Sequence, residues 1–261
     1  MIIQLLIVLG ALWVGSRYGS LALGAISGIG LAMAMAWAED PAVERVYIVD
    51  KAPLKPAYRH PKVEAFQFDI TETDHSFFDR FADIDTLMLT AGFGRLDCFR
   101  DIDESLIARS FEVNTVSVLR LIRRFYTQLE GRKPFRCGVM SSIAGFVSSP
   151  FLAVYGATKA ALRSFIESVN VELSKAGTDN RILCVAPGSI QGTGFTGGET
   201  QLEQVMPLAR EIISHLDTRD DLFIPLYDEV FRAVIQRYHE DFRAEGAHSY
   251  DYKVATGRMK L

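Results

Sequence analysis

The run Tyr155-Gly156-Ala157-Thr158-Lys159, with Ser142 upstream of it, holds the side chains best suited to moving a proton. Positions four apart share one face of a helix, so on a helix the phenol and the ammonium are neighbours. A cation beside a phenol favours the phenolate. A free tyrosine titrates near ~10, and one that works near neutrality needs that value brought down by about two to three, worth roughly 3–4 kcal/mol. The same spacing also describes an ordinary pair on a helix surface. Its meaning depends on the elements around it.

Those elements alternate. Residues 20–23 read as a strand ending at Gly24, and 28–39, rich in Ala, Met and Leu, as a helix. RVYIVD over 45–50 is a second strand by its β-branched and aromatic content. Pro53, Pro56 and Pro61 make the next connection irregular. Strands follow over 63–69 and 84–90, helical periodicity over 103–129, and a strand over 137–142. A long helix over 153–176 carries Tyr155 and Lys159. Beyond it come a strand over 181–186 stopped by Pro187-Gly188, a helix over 201–215, a short strand over 221–224, and a helix over 227–242 leading into a polar tail. Strand–helix alternation throughout argues for an α/β fold: one doubly wound parallel sheet with helices on both faces, three layers in a single domain.

Composition agrees. The 261 residues are 49% hydrophobic and 23% charged, enough to fill a core and too apolar for a disordered chain. Net charge is −4, and the basic residues form no dense patch, which argues against nucleic acid as a partner. Cys98, Cys137 and Cys184 are odd in number and lack a C-x-x-C, and the five histidines lack ligand spacing; no metal site is expected. The apolar run over 2–14 has no charge before Arg17. It is short for a membrane span, which takes about 20 residues, and no basic residue precedes it as in a secretory signal. Three readings stay open: a marginal anchor that leaves the body of the protein on the cytoplasmic side, a helix packed on the domain or a partner subunit, or an extension that adds nothing to the fold.

Gly24-Ala25-Ile26-Ser27-Gly28-Ile29-Gly30 follows the first expected strand and opens a helix. Glycines there allow a tight turn and bring helix amides against a pyrophosphate. Asp50 closes the next strand, where a carboxylate accepts hydrogen bonds from ribose hydroxyls and repels a 2′-phosphate. It favours NAD over NADP, with the adjacent Lys51 available to soften the preference.

Taken together, these residues resemble the short-chain dehydrogenase/reductase family over about residues 20–225. Glycines 24, 28 and 30 match its cofactor loop, and Asp69-Ile70 its acidic position at the adenine. Thr90-Ala91-Gly92 stands where the family has Asn-Asn-Ala-Gly. Asn114 fits its helix asparagine, Ser141-Ser142-Ile143-Ala144-Gly145 its serine segment, Tyr155 and Lys159 its catalytic pair, and Pro187-Gly188-Ser189-Ile190 the turn after its sixth strand. Departures stand at Leu23, Ile26, Leu89 and Thr90, and at Gly192, where a threonine often holds the carboxamide and where Thr193 follows.

The resemblance implies a Rossmann-like domain over 19–261, with residues 1–18 as an appendage, a lid over about 192–215, and a C-terminal helix and tail over about 226–261. It implies hydride transfer between nicotinamide, NAD preferred and NADP open, and an alcohol or carbonyl carbon. Tyr155 is then the general acid and base, Lys159 lowers its pKa and binds the ribose, Ser142 steadies the substrate oxygen, and Asn114 holds a water linking Lys159 to solvent. The cofactor set is Gly24, Ile26, Ser27, Gly28, Ile29, Gly30, Asp50, Asp69, Ile70, Thr90, Ala91, Gly92, Tyr155, Lys159, Pro187, Gly188, Ile190 and Thr193. The expected state is a cytoplasmic homo-oligomer, dimer or tetramer, with membrane association through 2–14 left open. Phe146, Val147, Phe151, Leu152, Phe195 and Met206 are candidate apolar walls for a hydrophobic alcohol or ketone. Two alternatives remain: a non-catalytic nucleotide-binding protein on the same scaffold, and a membrane-associated lipid or steroid dehydrogenase.

Overall fold

A computed structural model describes the backbone of residues 3–9 and 25–27 and the whole of 28–193 and 200–259. In chain order the elements are β1 (Ile3–Leu9), α1 (Ala25–Glu39), β2 (Val43–Asp50), β3 (Val63–Gln67), β4 (Thr86–Leu89), α2 (Glu104–Phe111), α3 (Ser117–Arg124), α4 (Tyr126–Glu130), β5 (Arg136–Met140), α5 (Ala153–Ala176), β6 (Ile182–Val185), α6 (Leu202–Thr218), β7 (Leu222–Phe223), α7 (Arg232–Glu240) and α8 (Phe242–Ala255). The strands form one parallel sheet in the order β3-β2-β1-β4-β5-β6-β7. The order reverses between β1 and β4, the crevice where doubly wound sheets bind ligands.

Alternation along the buried strands sorts the core into two layers. Leu87, Leu89, Cys137, Val139, Ile182 and Cys184 pack with Leu121, Phe125, Leu162, Ile166 and Leu173 of the α3–α5 layer. Met88, Met140, Leu183 and Val185 pack with Met33 and Trp37 of α1 and with Val205, Ile212 and Leu216 of α6 on the other face. Gly138 belongs to the second layer: a Cβ there would sit 2.6 Å from Met88 Sδ.

Three expectations change. The apolar run over 2–14 supplies β1, which pairs with β2 on one side and β4 on the other; Ile3–Leu9 is therefore the middle of the sheet and not an appended helix or an extension. The physical reason is that a central strand of a parallel sheet reads as a near-continuous apolar run, here broken at Gln4 alone, with none of the alternation that marks a half-exposed strand. The strand expected over 20–23 lies outside the described residues, as do Gly24 and Phe195. Among the described residues no helix is long and apolar enough to cross a membrane.

Second, the helical stretch over 103–129 divides into α2, α3 and α4, with a π-helical turn, Glu112–Val116, between α2 and α3. Third, residues 248–253, expected as a tail, belong to α8. Asp241 opens that helix by accepting the amides of Arg243 and Ala244 with its side chain, an N-cap that the sequence displays without a strong apolar stripe to announce it.

Candidate active site

Each presumed catalytic residue follows from the way its element ends. β5 stops at Met140. The chain then turns through Ser142, whose hydroxyl accepts the Ala144 amide at 3.2 Å and donates to the Pro187 carbonyl at 3.4 Å. Two glycines press this turn onto α5. A Cβ on Gly145 would lie 2.7 Å from the Lys159 carbonyl carbon, and one on Gly156 would lie 2.9 Å from the Ala144 oxygen. That approach places Ser142 in hydrogen-bond contact with Tyr155. Tyr155, on the first turn of α5, and Lys159, one turn further, are both buried. The Lys159 ammonium donates to the Met140 carbonyl at 2.8 Å and lies 5.7 Å from the centre of the Tyr155 ring.

Asn114 sits on the π-helical turn, a feature frequent at functional sites because it redirects side chains. Fully buried, it accepts the Phe93 amide and donates to the Phe93 carbonyl, both at 2.8 Å, and donates to Thr158 Oγ1 at 3.1 Å. Thr158 donates in turn to the Tyr155 carbonyl at 2.6 Å, and Thr115 to the Thr158 carbonyl at 3.1 Å. Asn114 thus ties the segment after β4 to the helix that carries the phenol and the ammonium.

Burial dominates the electrostatics. It pushes the Tyr155 phenol up to about 12, with the Ser142 hydroxyl pulling in the other direction. It brings the Lys159 ammonium down to about 7, against a smaller opposing effect of Cys184. The sequence leads to the expectation of a lowered phenol; desolvation, which favours the neutral form of each group, pushes it the other way.

The expected cofactor residues line the carboxyl ends of the strands. Gly28, Ile29 and Gly30 lie in the opening turns of α1; of Ile26 and Ser27 the backbone alone is described. A Cβ on Gly28 would meet Thr200 at 3.2 Å and the Thr193 Cα at 3.5 Å, so the glycine leaves a cradle where these segments meet the helix start. Asp50 ends β2, is buried, and accepts the Ala52 amide at 2.8 Å. Lys51 pairs with Asp69. Burial works to raise the Asp69 carboxyl, but hydrogen bonds from Lys51 and Thr71 prevail and hold it below the usual range. Thr90, Ala91 and Gly92 are buried beyond β4, and Ala91 shares a core cluster with Ile70. Thr193 donates to the Ile190 carbonyl at 2.7 Å. The residues present fit a dinucleotide: a glycine-opened helix start, a carboxylate at the end of the second strand, and small residues past the fourth.

A cavity of about 400 Å³ is lined by Ile29, Ser142, Tyr155, Pro187, Ile190 and Thr193. Val147 and Leu152 line it as expected. Phe146 instead packs on the core under Arg163, Phe151 lies 4.4 Å from the Tyr250 ring, and Met206 belongs to α6. Further lining comes from the C-terminal segment, which sequence reasoning missed: Glu245, His248, Tyr252 and Lys253 of α8, and Arg258 beyond it. The signal that could have found it is the Asp241 cap.

The short-chain dehydrogenase model matches residues 21–204, and the chain belongs to the short-chain dehydrogenase/reductase family, oxidoreductases that act on CH–OH and C=O groups. It is 26% identical to human 17-beta-hydroxysteroid dehydrogenase type 1 over 236 residues, 83% of this chain and 69% of that one. Its fold matches a Burkholderia cenocepacia short-chain dehydrogenase in complex with NADP (TM-score 0.69, 21% identity, 93% of this chain and 96% of that one). It likewise matches a Burkholderia phymatum family member in complex with NAD (TM-score 0.71, 16% identity, 93% and 95%).

Proposed function

We propose that this protein is an NAD-linked alcohol dehydrogenase or carbonyl reductase in which Tyr155 is the general acid and base. The observation that carries the reading is that Ser142 and Tyr155 share one cavity, with Lys159 buried one helical turn behind the phenol and Asn114 bracing the same helix. When bound, the nicotinamide supplies or receives the hydride. The rest belongs to the chain. In reduction the Tyr155 hydroxyl gives its proton to the substrate oxygen as negative charge develops there; in oxidation the phenolate takes the proton from the carbinol. Ser142 donates to the same oxygen and stabilises that charge. Lys159, held by the Met140 carbonyl, offers a cationic form that counters the desolvation of the phenolate.

Asp50 supports the NAD preference. Its carboxylate ends β2, and the nearest lysine in sequence is already matched by Asp69. Val147, Leu152 and Ile143 give the cavity an apolar side suited to a substrate with a hydrocarbon body.

The test is a screen of alcohols and ketones followed by NADH absorbance, repeated with Tyr155→Phe. Loss of a general acid costs about 10²–10⁴-fold in turnover, with NADH binding unchanged. A variant that keeps more than about a tenth of the normal rate removes Tyr155 from the chemistry.

A further inference from the structure

The C-terminal segment brings two cations to the lining of the cavity that Tyr155 also lines. Lys253, on α8, is 5% exposed, and its ammonium spends its three donors on neutral oxygens: Ser149 Oγ at 2.8 Å, the Pro150 carbonyl at 2.8 Å and Ser249 Oγ at 3.1 Å. Arg258 donates to Ser189 Oγ at 2.7 Å, two residues past the Pro187 carbonyl that accepts from Ser142. Burial brings the Lys253 ammonium down to about 8, and the positive charge of Arg258 adds to the effect, so the two cations share one field.

Among the described residues, neither cation has a carboxylate partner. The acid that faces the same cavity, Glu245, is committed elsewhere: it accepts from Arg237 Nε at 2.6 Å and from a second Arg237 nitrogen at 3.3 Å, and His248 Nδ1 lies 3.9 Å from it. Holding a buried ammonium beside a guanidinium without a carboxylate is costly unless something else supplies negative charge. A purely structural lysine, pinning α8 to the turn at 149–150, would not account for the second cation on the cavity side.

We infer that the substrate carries an anionic group, carboxylate or phosphate, that docks on Arg258 under the field of Lys253 while its alcohol or carbonyl carbon lies at Tyr155. This rests on the oxidoreductase reading above and narrows its substrate class to amphipathic hydroxy or oxo anions. The apolar side of the cavity takes the hydrocarbon body. A guanidinium suits either headgroup, because its planar donors match carboxylate and phosphate oxygens. Lys253, with its donors already used, acts through its charge.

The experiment compares, in the full chain with NAD(H), aliphatic oxo acids with their methyl esters and oxoalkyl phosphates with the corresponding free alcohols. Calorimetric titration of the same compounds is run alongside. The expected result is a kcat/KM at least about tenfold higher for an anion than for its neutral counterpart; the arm that shows it identifies the headgroup. Arg258 lies beyond the end of α8, so Arg258→Met leaves the helix and its cap in place. That variant raises KM for the anion about tenfold and raises KM for the neutral compound far less. Anion binding in the titration that Arg258→Met abolishes supports the assignment even for compounds that are not turned over. Equal kcat/KM for anion and neutral partner, anion KM values that ignore Arg258→Met, or no anion binding at all overturns it. In those cases turnover of neutral alcohols with loss in Tyr155→Phe leaves the oxidoreductase reading standing, whereas absence of all turnover and of NADH binding removes that reading as well.

Discussion

The two halves of the sheet hold their functional residues by different means. Around β4, β5 and α5, each presumed catalytic side chain is fixed by polar contacts to a distant element: Asn114 to Phe93 and Thr158, Ser142 to Pro187, Lys159 to Met140. Around β1 to β3 and α1, the candidate cofactor residues work by omission and by position. Gly28 leaves space, and Asp50 closes a strand and turns its carboxylate to the Ala52 amide two residues on. Side-chain bonds between distant elements build the first half; in the second, the Lys51–Asp69 pair apart, glycine and strand ends set the positions. Substitutions should therefore act on fold and chemistry together in the catalytic half, and on ligand choice alone in the cofactor half.

The largest effect that would sharpen this contrast is expected at Asn114. Asn114→Ala orphans the Phe93 amide and carbonyl in a fully buried site and removes one partner of Thr158. An unsatisfied buried polar group costs about 1–3 kcal/mol, so a loss of roughly 2–5 kcal/mol is expected in urea unfolding. Turnover falls with it, since Thr158 bonds the carbonyl of Tyr155 itself. A loss below about 1 kcal/mol would mean that the brace is dispensable and that the two halves do not differ in kind.

The same contrast explains what could be read from the sequence. Residues 153–176 were expected as a helix and form one, closed by Gly177 at φ +77°. Tyr155, Lys159 and Ser142 could be found because a short spacing on one helix and a strand-end serine survive as linear patterns. β1 could not: a short run that is apolar except for Gln4, with no alternation, looks alike in a central strand, a short anchor and a packed helix. The family model likewise begins at residue 21, beyond that strand. Asn114 was placed by resemblance, but the π-helical turn that aims it leaves no local signature. α8 was hidden because its buried positions include Glu245, Gly246 and Lys253 instead of an apolar stripe. Spacing reports a neighbouring charge and says nothing of the depth at which both groups lie, so it carries no sign of the burial that pushes the Tyr155 phenol up.

That depth is testable by pH. Lys159 titrates near 7 in the fold against 10.5 for the free side chain. Between those values the unfolded chain binds a proton that the folded chain does not, so this lysine makes stability rise with pH and fall as pH drops toward 7. Other groups overlap the window: Lys253 acts in the same sense, while Cys137 and Cys184, raised by burial to about 12 and about 11, act against it above pH 9. The informative quantity is therefore the difference between the protein and Lys159→Met, measured by urea unfolding. That difference should grow in favour of the lysine form from about pH 7 to 10.5. A flat difference would show that Lys159 is charged in the fold at neutral pH and that the phenol feels a full cation after all.

The smallest effect is expected in the cofactor half, and its smallness is part of the argument. Asp50→Ala removes a carboxylate that ends β2, where it would face ribose hydroxyls or repel a 2′-phosphate. Lys51 cannot take over that role while it pairs with Asp69. The ratio of kcat/KM with NADP to that with NAD should rise about tenfold, equivalent to ~1.4 kcal/mol. Urea unfolding should move less than in Asn114→Ala, because the bond from the Ala52 amide to this carboxylate spans a single turn. If the unmodified protein already binds NADP as tightly as NAD, Asp50 does not set the choice. If Asp50→Ala instead unfolds the protein as readily as Asn114→Ala, the cofactor half is held together by side-chain chemistry too, and the proposed division between the halves fails at its weaker side.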